Sequence, residues 1–548
     1  MDQYRSRLLI QLGDESSISS LFDGTTYLYR IESGVDIAGA IDVNDASRLH
    51  EIALECRDSY SDWIYSLNQS WLDRKLVSEN LSLFLISDCS AKRTELFPTY
   101  SCLCNLLLIQ EIIKKRKPDQ IVFVNATPEW LPALNSICGE IPVVVHKRRG
   151  LLFPSVRRLM SDLRFLSQVL IIALANQVNH RGRKHPGAGQ ERMYFSIYPK
   201  MIDDQGIDKK YKHNAGGPEN LAVSILTDGL HQRTPLRDYF RLRAEISSKG
   251  ARVVDDYLNS LDFLRGVYWS VMIRLKVTCL SRRYRFSGID LSGWLTNELK
   301  CSASRLARFI ALKGCFDRFF EQVKTHEFVY YLHEYPIGRL ISWVLAVKHP
   351  TVQRIGFQHG PSAWRKMVYS LSKNEVAESM DFRRHVAIPD RVLAEDEASA
   401  SIYRYSGYKN VEVMGRVSRL DYLESMALES DPDILLVAPG LNDGPAVLKA
   451  VWQDLTESAD HKWLIKPHPL ANNRYLDETR LPEHVKITNL PIERLLPRLR
   501  RLYVSYSSLG AEAMRLGIPI SLVDVPGQIN ESPLKDLPVS EYSDALNS

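Results

Sequence analysis

The sequence predicts an α/β protein of two Rossmann-like domains facing a cleft, the first enlarged by a largely helical insertion. Three observations carry that expectation. At 548 residues the chain exceeds what one hydrophobic core supports. Toward both ends, short apolar runs alternate with amphipathic stretches, the signature of a parallel sheet with crossover helices. Between them, from 150 to 312, long helical stretches rich in Leu, Arg and aromatics take over.

Along residues 1–149 the expected strands are Leu8–Leu12, Leu83–Ser87, Gln120–Val124 and Pro142–Val145. A helix between Tyr100 and Lys117 and another from about Pro128 separate the last three. Within 150–312 the helices are Leu236–Lys249 and Val254–Val277, with Gly216-Gly217-Pro218 and Arg285–Ser292 as connections. Alternation resumes over 313–424 with Phe328–Leu332, a helix Ile337–Lys348, Gln353–Phe357, His385–Ile388, a helix Glu395–Tyr405 and Val411–Gly415. Arg416–Pro432 is polar and reads as the interdomain linker. The last domain, 425–548, then has strands Asp433–Ala438, Trp463–Lys466, Leu502–Tyr506 and Ile520–Asp524. A helix Ser508–Leu516 precedes the last of these and is stopped by Gly517 and Pro519.

Hydrophobic residues at 45% and charged residues at 25% exclude a disordered chain. The net charge of +5 is too small to point to nucleic acid, but it is unevenly spread. His146–Arg149, Arg157-Arg158 and His180–Lys184 crowd one stretch, which suits phosphate or an anionic membrane surface, and equally a solvated basic face. The eight cysteines are scattered without C-x-x-C, so neither zinc nor another metal is expected. Reduced thiols and an N-terminus without an apolar leader lead us to expect a cytoplasmic protein. Phe165–Ala175 is apolar but short of the roughly 20 residues that span a bilayer. It reads as a buried helix or as one lying in the membrane interface, on the inner face of the cytoplasmic membrane.

Chemistry concentrates in the last domain. A buried strand delivers Tyr506, Ser507 and Ser508 to a helix N-terminus, where unpaired amides and hydroxyls meet an anion. Glu512 lies one turn along, within reach of ribose hydroxyls. Lys466-Pro467-His468-Pro469 follows another strand at the same sheet edge, its prolines stiffening a turn that presents a point charge and a directed donor. The loop containing Gly440 and Asn442 completes this donor side.

These two motifs resemble the donor-binding domain of bacterial GT-B transferases that use CMP-activated ulosonic acids, namely sialyltransferases with H-P and Ser-Ser motifs and Kdo transferases. The resemblance implies that His468, Ser507 and Ser508 hold the CMP phosphate with Lys466 beside them, and that Glu512 binds ribose. Gly356–Gly360, with His333-Glu334-Tyr335, Ile388-Pro389-Asp390 and Val413–Arg416, is similar to bacterial surface-carbohydrate biosynthesis proteins over 80–110 and 325–525. Where that group has Glu-Asn-Gln, this chain has Glu334-Tyr335-Pro336. The implied activity moves a nonulosonic acid of sialic or pseudaminic type, or Kdo, from its CMP-sugar to a glycan or lipid-linked glycan, without cofactor or metal. An enzyme using a UDP-sugar or CDP-glycerol, a UDP-sugar 2-epimerase-like enzyme and an inactive scaffold remain open beside it.

The catalytic candidates are Glu334, His359 and Asp88, each after an expected strand, with Gln358 and Arg416 as further cleft residues. Thr227-Asp228-Gly229 departs from the acidic-acidic-Gly base motif of the sialyltransferases, which leaves the base unassigned. The pairs Asp203-Asp204 and Asp255-Asp256 read as exposed charge.

Overall fold

The computed structural model describes residues 6–13, 24–31, 37, 39–94, 96–148, 166–176, 190–212, 217–226, 235–279, 284–332, 336–358, 360–377, 388–469, 471 and 473–537. The α/β class holds throughout. The described residues build three parallel sheets, each wound in the same order, and two short antiparallel pairs.

The first sheet contains β1 (Ser6–Leu12), β2 (Thr25–Ile31), β3 (Ile41–Asp42), β4 (Gln120–Ala126) and β5 (Val143–Arg148), side by side as β3-β2-β1-β4-β5. Its crossovers are α1 (Ala46–Leu72), α2 (Thr99–Arg116) and α3 (Trp130–Cys138). Asp45 starts α1 by accepting the Arg48 amide at 2.9 Å, satisfying a donor that the helix leaves unpaired. Lys117 ends α2 in a left-handed conformation.

The middle sheet has seven strands: β6 (Gln190–Ser196), β7 (Leu221–Val223), β8 (Arg252–Val253), β9 (Thr325–Tyr331), β10 (Gln353–Phe357), β11 (Arg391–Ala394) and β12 (Val411–Val413). They lie in the order β8-β7-β6-β9-β10-β11-β12. Three of them come from 150–312, the stretch expected to be a helical insertion. The long helices are there too: α4 (residues 166–176), α5 (Leu236–Ser248), α6 (Ser260–Cys279) and the start of α7 (Ser292–Gln322). β6 (QERMYFS) escapes a hydropathy reading because only its last four residues are buried, while β7 and β8 are three and two residues long. α8 (Ile337–Lys348) and α9 (Glu397–Tyr405) complete this unit.

The last sheet, β13 (Ile434–Ala438), β14 (Lys462–Ile465), β15 (Val485–Ile487), β16 (Leu499–Val504) and β17 (Ile520–Leu522), is ordered β15-β14-β13-β16-β17. Its helices include α10 (Gly444–Ala450) and α11 (Leu509–Arg515).

Numbered within each sheet, all three read 3-2-1-4-5, with two strands added to the middle one. That order reverses direction between the first and fourth strands, and the crevice there, outside the carboxyl ends, is where such sheets take ligands. One continuous buried core joins the first and middle sheets, whereas the last domain has its own clusters on the two faces of its sheet.

Two further expectations are corrected. Leu83–Ser87 is a buried run of turns rather than a strand: Leu83, Phe84, Leu85 and Ile86 are core residues, and apolarity there marks burial alone. Asp255-Asp256 is buried rather than exposed. Asp255 accepts from the Ser224 hydroxyl and from the amides of Ile225 and Leu226 at 2.5, 2.7 and 3.0 Å, closing the end of β7. Asp256 pairs with Arg243. In α4, Val169, Ile172 and Ala173 are buried, as a core helix requires, while Ile171 and Leu174 are exposed.

Candidate active site

The carboxyl edges of the middle and last sheets are tied together by one arginine. Arg419, from the linker, grips the buried Glu395 carboxylate with both sides of its guanidinium, at 2.8 and 2.6 Å. Its remaining nitrogen reaches Glu512 at 3.2 Å. Glu395 follows β11 of the middle sheet and is 1% exposed, and Glu512 lies on α11 just after β16 of the last. The Tyr422 hydroxyl donates to the other oxygen of Glu512. Burial pushes the Glu512 carboxyl above its ordinary range, against the opposing pull of Tyr422 and Arg419. The expected ribose ligand is thus, in this structure, an interdomain contact with both oxygens engaged.

In the last sheet, the switch point lies between β13 and β16. Tyr506, just past β16, lays its ring against Gly440 in the loop after β13. A Cβ at Gly440 would sit 2.5 Å from the ring carbon that carries the hydroxyl. The Asn442 amide donates to that hydroxyl at 3.1 Å. Ser505 donates to the buried Asp443, whose carboxyl burial pushes up. Gly440, Asn442 and Tyr506 therefore buttress each other, and Asp443, which the sequence did not single out, anchors the base of the loop. Ser508 is the N-cap residue of α11, exposed and without a side-chain cap, while the Ser507 hydroxyl before it accepts the Leu509 amide at 3.3 Å. α11 has seven residues, two fewer than expected.

Lys466 follows β14, and its ammonium donates to the Leu490 carbonyl at 2.7 Å. The half-buried His468 sits in the turn that its own carbonyl closes by accepting the Ala471 amide at 3.0 Å. β14 and β16 flank β13, so the two motifs share one edge as expected, about 10 Å apart at the usual strand spacing.

The corresponding crevice of the middle sheet lies between β6 and β9. Asp208 closes it, accepting from Ser196 at the end of β6, from Tyr331 at the end of β9 at 2.9 Å, and from the Lys210 amide at 2.9 Å. The Lys210 ammonium stands 3.6 Å from the Tyr198 ring centre and 5.2 Å from that of Tyr331. Burial pushes its pKa down to about 7, with Asp208 and Glu395 pulling upward and Arg419 downward. Lys210 and Asp208 went unnoticed in the sequence. They stand in the connection between β6 and β7, and only the pairing of β6 with β9 gives them a site.

Of the remaining candidates, Gln358 is buried and its amide is fully occupied. It donates to the Gly360 carbonyl at 2.7 Å and the Ser399 hydroxyl at 3.0 Å, and accepts the Glu395 amide at 3.1 Å. It holds Glu395 in position instead of facing a ligand. Arg416 is exposed and pairs with Asp421 and Glu424 at 3.0 and 2.8 Å within the linker. Asp88 is wholly buried against Arg305 of α7 at 2.9 Å, in the turn segment that replaces the expected strand, and so is not at a strand end. Glu334 and His359 lie outside the described residues, as do Thr227-Asp228-Gly229 and most of the basic stretch. Among the described residues no group of three or more His, Cys, Asp and Glu side chains is arranged for a metal, and no helix is long and apolar enough to cross a membrane.

No protein-family model matches the chain, and no curated protein matches it. Among solved structures, the calicheamicin glycosyltransferase CalG4 superposes with a TM-score of 0.35 at 14% identity, over 63% of this chain and 82% of that one. The UDP-GlcNAc 2-epimerase of Neisseria meningitidis, bound to UDP-GlcNAc, gives 0.34 at 9% over 65% and 94%. The wall teichoic acid polymerase TagF gives 0.30 at 12% over 72% and 87%. Superpositions this loose carry no inference about activity, which has to come from the chain's own residues.

Proposed function

We propose that the chain is a GT-B glycosyltransferase that moves a nonulosonic acid, or Kdo, from a CMP-sugar to a bacterial surface glycan of the capsule or lipopolysaccharide kind. The observation that carries this reading is the bridge Glu395–Arg419–Glu512. It sets the carboxyl edges of two sheets of Rossmann order against each other. The resemblance of Lys466–Pro469 and Tyr506–Ser508 to CMP-ulosonate transferases selects the donor.

In this reading Lys466, His468, Ser507 and Ser508 take the CMP phosphate, and Lys210 meets the carboxylate at the donor's anomeric centre. An acceptor hydroxyl attacks that carbon, the bond to the phosphate oxygen breaks, CMP departs, and the hydroxyl proton passes to a base for which Glu334 and His359 are the candidates. Cations and hydroxyls carry the phosphate charge, so the reaction proceeds without a metal. The acceptor is a glycan or lipid-linked glycan at the inner face of the cytoplasmic membrane.

Thermal unfolding with CMP, UDP or CDP-glycerol tests the donor. Ligand at about a hundred times its Kd stabilises a protein by about 2.7 kcal/mol, a readily measured rise in Tm. CMP should protect, His468→Ala should remove the protection, and EDTA should leave CMP release from a CMP-sugar unchanged. Protection by UDP and none by CMP would refute the donor assignment.

A further inference from the structure

The helix α6 carries an apolar face that nothing in the described chain covers. Leu261, Leu264, Tyr268, Val271 and Leu275 are 51–62% exposed, at spacings of three and four residues. At roughly 100° per residue they form one stripe down the helix. The opposite face is fixed. Asp262, Gly266, Ser270, Ile273 and Val277 are buried. A Cβ at Gly266 would meet the Ala307 carbonyl oxygen of α7 at 2.5 Å, and the Ser270 hydroxyl donates to the Ala303 carbonyl at 2.8 Å. So close an approach of two backbones stops α6 from rolling its stripe inward.

We propose that this face of α6 docks the protein on an anionic lipid bilayer, the helix lying in the plane of the interface. The proposal rests on the membrane-face part of the functional reading above and not on its donor chemistry. Charge selects the occupant. Arg265, which also pairs with Glu79 at 3.5 Å, and Lys276 border the stripe on one side and Arg274 on the other. The helix's single acidic residue, Asp262, is on the buried face and paired with Arg318 of α7. A second copy laid on the stripe would bring cations against cations with no acid of α6 between them, whereas anionic headgroups meet that rim and acyl chains meet the leucines. From Leu261 to Leu275 the stripe is about 21 Å long, enough to enter the interface side-on and too short to span it.

Flotation of the full chain with phosphatidylcholine vesicles, with and without phosphatidylglycerol, tests this. Wild type should float with the anionic vesicles, less so at high salt. The variant Leu264→Glu/Val271→Glu, altered only at exposed positions, should keep its Tm and partition at least about tenfold more weakly, since each lost side chain forfeits most of a leucine-sized burial. Failure of wild type to float, or equal flotation of the variant, would overturn the proposal. So would light scattering that shows a wild-type dimer which the two glutamates dissolve. None of these results depends on whether CMP protects the protein, so the donor reading and this one fail separately.

Discussion

Removing the guanidinium of Arg419 should loosen the two-domain architecture, and the geometry sets the scale. The group makes a two-pronged contact with Glu395 at 2.8 and 2.6 Å and a third at 3.2 Å with Glu512. Glu395 is 1% exposed. Arg419→Met would leave that carboxylate buried without its paired guanidinium and with a second carboxylate facing it. Breaking one side of a buried pair costs about 3–5 kcal/mol, and since Arg419 itself is 22% exposed the lower figure applies. About 3 kcal/mol lowers the Tm of a domain of this size by roughly 6–12 °C. Calorimetry of wild type, Arg419→Met and Arg419→Met/Glu395→Gln reads this loss, with the double variant recovering most of it. An unchanged Tm in Arg419→Met, or no recovery in the double variant, would refute the reasoning.

Two further outcomes follow from the crevices. Lys210 has a folded pKa of about 7, below its unfolded value near 10.4, so the unfolded chain binds the extra proton between those limits. Wild type should therefore gain stability relative to Lys210→Met as pH rises from about 7 to 10, as read by parallel Tm profiles, and parallel curves would count against a depressed lysine. Gly440→Ala places a methyl where the Tyr506 ring now lies, forcing the ring aside and costing about 1–3 kcal/mol. It should lower the Tm and weaken protection by CMP, and a variant unchanged in both would remove the buttress from the site.

The sequence disclosed those elements whose signal is local. Ile434–Ala438 is a continuous apolar run that forms a fully buried central strand, and it appears where expected. The same rule failed at Leu83–Ser87, because apolar runs report burial and only sometimes extension. It missed β6, whose charged first half hides a strand that pairs with β9 over a hundred residues away. The site divides the same way. Lys466, His468, Ser507 and Ser508 stand in short motifs at strand ends, which is what makes them candidates from the sequence. Lys210, Asp208, Glu395 and Arg419 acquire meaning only from contacts made across elements and between domains, and no spacing along the chain announces them.

The segment after β17 runs back out of the last domain to the first sheet. Asp524 anchors it through Lys535 and Asn530, and at Gly527 it passes so close to the end of β2 that a Cβ there would meet Arg30 and Ile31 backbone atoms at 2.7 Å. Asn105 donates to the Gly527 carbonyl, His50 accepts the Asn530 amide, and Asp536 binds Arg365 of the middle unit. A body held by a single linker can tumble about it in every direction. One fastened at two separated points, here the linker at Arg419 and this returning strap, is left chiefly with rotation about the line that joins them. The last domain is fastened in that second way, by Arg419 on one side and by the returning segment on the other.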